Sequence, residues 1–542
     1  MTKRIHCLGI SFFMILILFS LQPLLYSEED LHSVWVIKDC RIVPLSGPQI
    51  EKGVVVLRDG LIEAVGASVS IPPDAEILDG SKLTVYPGLI DALGQSLLKL
   101  PEEKFDAAKF YSGEFTDKDR GIVPELRAFD HVNLRKAALE KYHRFGITGA
   151  QVMPQRGILT GQSSIFSLSS SDKNKALLQK DRALGIGFSP GVFMTYPNSL
   201  MGIISYLKQE LTDASYYKMK MDRWEKERKG LSRSAYSPKM EILSSYTAGK
   251  KPVVFLCRSQ HDIRRALSLA SELKLNFLIC DLGNEAFKAI PELKKAKARV
   301  LCTLTFKAPA TSVHAQLGRE ERKKAEEELY SKNPAKLAEA GIPFAFSSLG
   351  NDDPKSFMEA VQKAIENGLS REKALEALTV QAASFLGLEQ AMGTLEEGKI
   401  ANLALIEGEI LTKEAKVRYV FADGQKFELK EAKVKEGEKP TVNVTGKWEF
   451  SIEAGPGTMK LTVDFMQEEA SLSGTMTSPF GVFDFTGGSV VGNEIYFEMT
   501  LAAGGQEIDL YFSAVVEGDT MEGSVVQGTA GSAEFTAKRI PS

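Results

Sequence analysis

Three charged side chains fall just beyond apolar, strand-like runs. Arg258 follows KPVVFLC, Asp281 closes NFLICD, and Asp352 stands in NDDP after IPFAFSSLG. A lone carboxylate at such a place can act as a general base. A guanidinium near it can serve as an electrophile or a carboxylate clamp. Asp352-Asp353-Pro354 also reads as a loop and helix cap. Cys257, Cys280 and Cys302 lie on three successive runs. Neighbouring strands are about 4.8 Å apart, so thiols at like heights could make a soft metal site or a disulfide. The plainer alternative is three buried small apolar side chains. Six histidines, at 6, 32, 131, 143, 261 and 314, include no pair at metal-ligand spacing.

The elements that must position these groups change character along the 542 residues. VWVIKDCRIVPL and VVVLRDGLIEAVG read as strands joined through turns, with Asp59-Gly60 as a hairpin signal. From residue 91 to 387, short apolar runs alternate with amphipathic helical segments. Buried, non-alternating strands in repeated strand–helix units imply a parallel sheet, and over this length a (β/α)8 TIM-like barrel. Gly157, Gly161 and Gln162 read as a glycine-bearing loop on the functional face of that barrel. No Gly-Lys-Ser/Thr follows, so it is not a phosphate loop. The last hundred residues show about eight short alternating strands, which suggests an antiparallel barrel or sandwich. Gly446-Lys447-Trp448 at its head resembles the opening of lipocalin- and avidin-type barrels.

Composition and the N-terminus set further bounds. A net charge of −4 gives no basic field for nucleic acid. Lys3 and Arg4 precede a nearly continuous apolar run, and a cut after Ser27 would leave an acidic start. This reads as a secretory signal peptide, with an uncleaved membrane anchor as the alternative. The expected location is therefore periplasmic or extracellular. Cys40 and the three strand cysteines remain in the mature chain, too few for a disulfide-stapled scaffold. The expected domains are a signal peptide over 1–27, a composite β-sandwich from 28–90 and 390–432, and a barrel over 91–389. A linker over 433–440 leads to a β-domain over 441–542.

Several motifs carry a family resemblance. GVVVLRDGLIEAVG and PGLIDA (87–92) resemble the start of the amidohydrolase superfamily, and GTLEEGKIANLALIEG its end, with Asn402 where Asp is usual. ALEALTVQAASFLGL (374–388) resembles the segment between. RGILTGQSSIFSL (156–168) and YPNSLMGIISYLKQ (196–209) resemble a secreted, imidazolonepropionase-like subgroup. The resemblance implies hydrolysis of amide or cyclic C–N bonds by one or two divalent metals at the C-terminal ends of barrel strands. Bound Zn²⁺ lowers the pKa of its water and polarises a carbonyl.

The positions that should carry the ligands do not. Leu93 and Gln95 stand where His-x-His is usual after the first strand. Leu256 and Arg258 stand where His is usual on the fifth, Leu282 on the sixth, and Leu349 where the eighth carries Asp. A leucine has no lone pair to give, so no metal or other cofactor is expected; Zn²⁺ enters only if this placement is wrong. The first expectation is a non-metal or inactive homologue that binds a small molecule or an envelope partner. The second is an active C–N hydrolase with a displaced site at Arg258, Asp281 and Asp352. The third is an envelope-binding or scaffold protein acting through its C-terminal β-domain. An oligomer fits the family, no nucleic-acid partner is expected, and membrane contact would come only through an uncleaved leader.

Overall fold

The computed structural model describes residues 34–100, 115–191, 196–306, 327–351, 353–429, 439–454, 457–479, 481–503, 506–527 and 531–540. The leader, most of the linker, His6, His32, His314 and Asp352 lie outside the described residues. Two compact units, Met1–Leu429 and Lys430–Ser542, make up the chain.

In the first unit the two remote flanks meet in one sheet. Its order runs Gln425–Glu428, Lys416–Ala422, Leu403–Glu407, Thr84–Pro87, Trp35–Ile42, Ile50–Arg58 and Leu61–Gly66, with Glu76–Asp79 also on Trp35–Ile42. The junction is Leu403–Glu407, antiparallel to Thr84–Pro87. Asp59 and Gly60 both take positive φ, the conformation a two-residue hairpin turn demands.

Nine further strands build the wall that the flanks frame. They are β1 (Leu89–Gly94), β2 (Ile147–Val152), β3 (Leu159–Gln162), β4 (Ser164–Ser167), β5 (Leu184–Gly187), β6 (Val253–Cys257), β7 (Phe277–Asp281), β8 (Val300–Thr303) and β9 (Phe344–Ser347). One sheet runs β4, β2 and β1, with the short strand Leu177–Gln179 on the outer edge of β4; the other runs β9-β8-β7-β6-β5-β3. The helices that accompany them include α1 (Lys136–His143), α2 (Gln260–Leu273), α3 (Asn333–Glu339) and, after β9, α4 (Pro354–Glu366) and α5 (Val380–Leu386).

The wall is not wholly parallel. β5 to β9 pair in parallel, as do β1 and β2, but β3 runs antiparallel to β5 and β4 antiparallel to β2. This corrects the expected loop at Gly157–Gln162, because Gly161 and Gln162 are buried inside strand β3. Small and polar residues in LTGQSSIFS gave no apolar run, yet every residue of β3 and β4 is buried.

Alternation along the strands divides two apolar clusters. Phe255, Ile279, Val300, Phe344 and Phe346 pack against helix residues such as Leu207, Ile263 and Phe357. Ile90, Val254, Leu278, Leu301 and Ala345 face the other way, into a second cluster that also takes Ala382, Phe385 and Leu386 of α5. Among the described residues no helix is long and apolar enough to cross a membrane.

The second unit is a closed antiparallel barrel of eight strands between Gly446 and Arg539. Closure comes from the first strand pairing with the last, Trp448 opposite Arg539 and Ile452 opposite Phe535. Inward positions carry rings: Phe497 stacks on Phe512 and on Phe485, each at 4.6 Å, and Phe450 on Phe535 at 4.8 Å. Trp448 is fully buried, donates to the Val444 carbonyl at 2.8 Å and lies under the Arg539 guanidinium. The interior is thus packed with aromatic side chains.

Candidate functional site

The C-terminal ends of β1, β6, β7 and β9 bring the substituted ligand positions together. Leu93, Leu256 and Leu349 are buried and belong to one cluster with Leu278, Cys280 and Leu301; Leu282 is partly buried against it. Residues far apart in sequence thus share a single apolar plug. Gln95 does not join them. It is exposed, and Gln155 donates to its side-chain oxygen at 2.7 Å.

The implied divalent metal can be tested against these residues. Four of the positions offer only hydrocarbon. Among the described residues no group of three or more His, Cys, Asp or Glu is placed to hold a metal ion. The donor set does not fit the metal. His143 is fully buried, holds the Leu168 carbonyl through Nε2 at 2.8 Å, and is pulled down to about 4 by burial. His261 is exposed.

The three candidate site residues are placed differently from one another. Asp281 is fully buried and register-paired with Cys257 on one side and Cys302 on the other. Both cysteines belong to the helix-facing cluster, so the Asp281 carboxylate also faces the helices. It accepts from the backbone N–H groups of Glu285 (3.0 Å) and Ala286 (2.8 Å) and from Asn333 Nδ2 on α3 (3.0 Å). Burial outweighs these bonds and pushes it up to about 6. Arg258 is exposed, and its backbone N–H donates to Asp262. No hydrogen bond or ion pair among the described residues joins Arg258 to Asp281. Asp352 lies outside the described residues; its neighbour Asp353 caps α4 through the N–H groups of Lys355 and Ser356.

The cysteines do not converge. Cys280 sits in the plug, paired in register with Leu256 and Leu301, while Cys257 and Cys302 face the opposite side with a whole strand between them. All are free thiols, and burial raises each well above its ordinary value. We expect none of the three to react with a water-soluble disulfide reagent in the native protein. All three should react after unfolding in urea. Rapid labelling of native Cys257 or Cys302 would contradict this packing.

Asp91 and Ser348 are the polar pair that the sequence did not join. Asp91 is fully buried on β1 and accepts from the N–H and hydroxyl of Ser348, just beyond β9, and from the N–H of Leu93. Ser347 adds a bond to the Leu93 carbonyl at 2.6 Å. Together they tie β1 to β9 across some 250 residues of chain. No local signal exposes such a partner.

Comparison with known proteins places this geometry. Residues 336–426 match the sequence model of the amidohydrolase family. An amidohydrolase from Thermotoga maritima MSB8 shares the fold with a TM-score of 0.61 and 25% identity, over 73% of this chain and 100% of that one. The class is therefore an α/β fold of amidohydrolase type carrying an amidohydrolase-family segment. At the level of single relatives, the 5-methylthioadenosine/S-adenosylhomocysteine deaminase of Moorella thermoacetica (strain ATCC 39073 / JCM 9320) is 38% identical over 60 residues. That stretch is 10% of this chain and 14% of the deaminase, so the chain spans about a seventh of that relative's length.

Proposed function

We propose that this chain is an exported, amidohydrolase-like binding protein whose metal-dependent centre has been replaced by an apolar plug. In this reading β1 to β9 form one barrel of (β/α)8 type with an antiparallel third stave. The single observation that carries it is the convergence of Leu93, Leu256, Leu282 and Leu349 in one cluster. Hydrolysis or deamination of the kind named for its relatives needs an activated water, and these side chains can neither hold a metal nor take a proton. Its ligand is a small molecule or a cell-envelope component, and the net charge of −4 argues against nucleic acid. The apolar leader with Lys3 and Arg4 supports export.

The test is direct. Protein purified without chelator from zinc- and iron-supplemented culture should contain far less than one metal per chain. It should not turn over cyclic amides, dipeptides or aminopurine nucleosides. Stoichiometric metal, with a hydrolytic activity lost on chelation and restored by zinc, would overturn the proposal.

A further inference from the structure

The first unit also holds a cavity of about 800 Å³. It opens where β2 and β5 end, between Pro154 and Arg156 on one side, Gly191 on another, and the segment 118–131 over them. That is the strand end at which α/β proteins hold small molecules, and the volume suits one. The lining is more apolar than polar, with Leu100, Val123 and Leu126 contributing.

The charged groups are uneven in sign, and His131 stands among them. Lys118, Arg127 and Arg156 stand against two exposed carboxylates, Glu125 and Asp130. Arg156 is held in place through the Gly191 carbonyl, its Nε at 3.2 Å and Nη2 at 3.1 Å. Arg127 is steadied by Asp181 at 3.7 Å. Lys118 has no anionic partner among the described residues. Thr160 also lines the cavity, with its hydroxyl turned towards Gly185 of β5.

Glycines let the backbone cross tightly at one edge of this space. Gly121 has φ +72°, and a Cβ there would come within 2.4 Å of Gly157 and 2.9 Å of Gly191. Three backbone segments thus cross at van der Waals contact, and any side chain at the crossing would push them apart.

We propose that this cavity binds an organic carboxylate with an apolar body, the carboxylate at Lys118 and the body against Leu126 and Val123. This deepens the binding reading above by naming a ligand class. Metal content and turnover test that reading separately, so either can fail alone. The experiment is calorimetric titration of the full chain with 4-phenylbutyrate, 4-phenylbutan-1-ol and 4-phenylbutylamine. The carboxylate should bind about tenfold or more tighter than the amine, with the alcohol between them. Leu126→Trp should abolish binding by filling the cavity. Lys118→Glu, an exposed change that leaves the fold intact, should weaken the carboxylate about tenfold and leave the alcohol unchanged. Equal affinity for all three probes, or preference for the amine, would overturn the anion assignment. Absence of carboxylate binding, or carboxylate binding untouched by Leu126→Trp in a normally melting variant, would overturn the site.

Discussion

At pH 8 a Leu349→Asp chain is expected to lose about 3–5 kcal/mol of stability beyond what Leu349→Ala loses, and to gain no affinity for zinc. The carboxylate would replace a side chain that is 1% exposed and packed in the cluster shared with Leu93 and Leu256. An unpaired charge in such a site cannot be solvated, so the new aspartate would stay protonated well above its ordinary pKa. The penalty therefore has a sign in pH. It is smallest below about pH 4, where the carboxyl is neutral in both states, and grows as pH rises and the unfolded chain ionises. Leu349→Ala is the control that removes bulk without adding charge, with a cost of about 2–5 kcal/mol. Urea unfolding of both variants at pH 5 and pH 8 checks the argument. If Leu349→Asp is as stable as Leu349→Ala at pH 8, the strand ends are wet and the plug is not what fills them.

Which parts of this molecule could be read from sequence follows from where the information lies. The substituted positions were legible because each sits beside a local motif, such as Leu93 after PGLIDA. Their convergence needed the fold. The eight C-terminal strands were legible from alternation, but closure was not. Whether a barrel or a sandwich forms depends on Trp448 meeting Arg539, a pairing between the ends of the domain. Asp281 shows a different limit. In a wall strand both faces are buried, so alternation of apolar and polar residues vanishes and with it the sign of each side chain's direction. A carboxylate ending such a strand looks as if it faces the strand-end site, and register with Cys257 and Cys302 turns it to the helices. The same ambiguity made three cysteines look like neighbours when one faces away from the other two. In β3 and β4 the obstacle was composition: Gly161, Gln162, Ser164 and Ser167 build buried strands from residues that ordinarily mark loops.

Asp281→Ala should destabilise the first unit by about 3–5 kcal/mol. Its carboxylate is the acceptor for three donors, the partly buried N–H of Glu285, the buried N–H of Ala286 at the start of the helical turn Ala286–Ala289, and the buried amide of Asn333. Removing it leaves all three unmatched in the contact between β7 and α3, at about 1–3 kcal/mol each before relaxation. Asp281→Asn keeps one acceptor and should cost less. It also removes a titration. The folded value of about 6 lies above the ordinary aspartate value of about 3.9, so the native state holds the proton more tightly. That contribution, about 3 kcal/mol, is fully present below about pH 4 and is lost as pH rises through about 6. Asp91, also raised to about 6, acts in the same direction. His143, lowered to about 4, acts oppositely: its contribution is present above about 6.5 and lost as pH falls. Asp281→Asn should therefore flatten the decline in stability between pH 4 and 6 relative to the parent, measured by urea unfolding across that range. A group acting as a catalytic base would behave otherwise, because its Asn variant would keep its stability and lose only turnover. An Asp281→Asn chain with unchanged stability at every pH would remove Asp281 from the scaffold and return it to the candidates for chemistry.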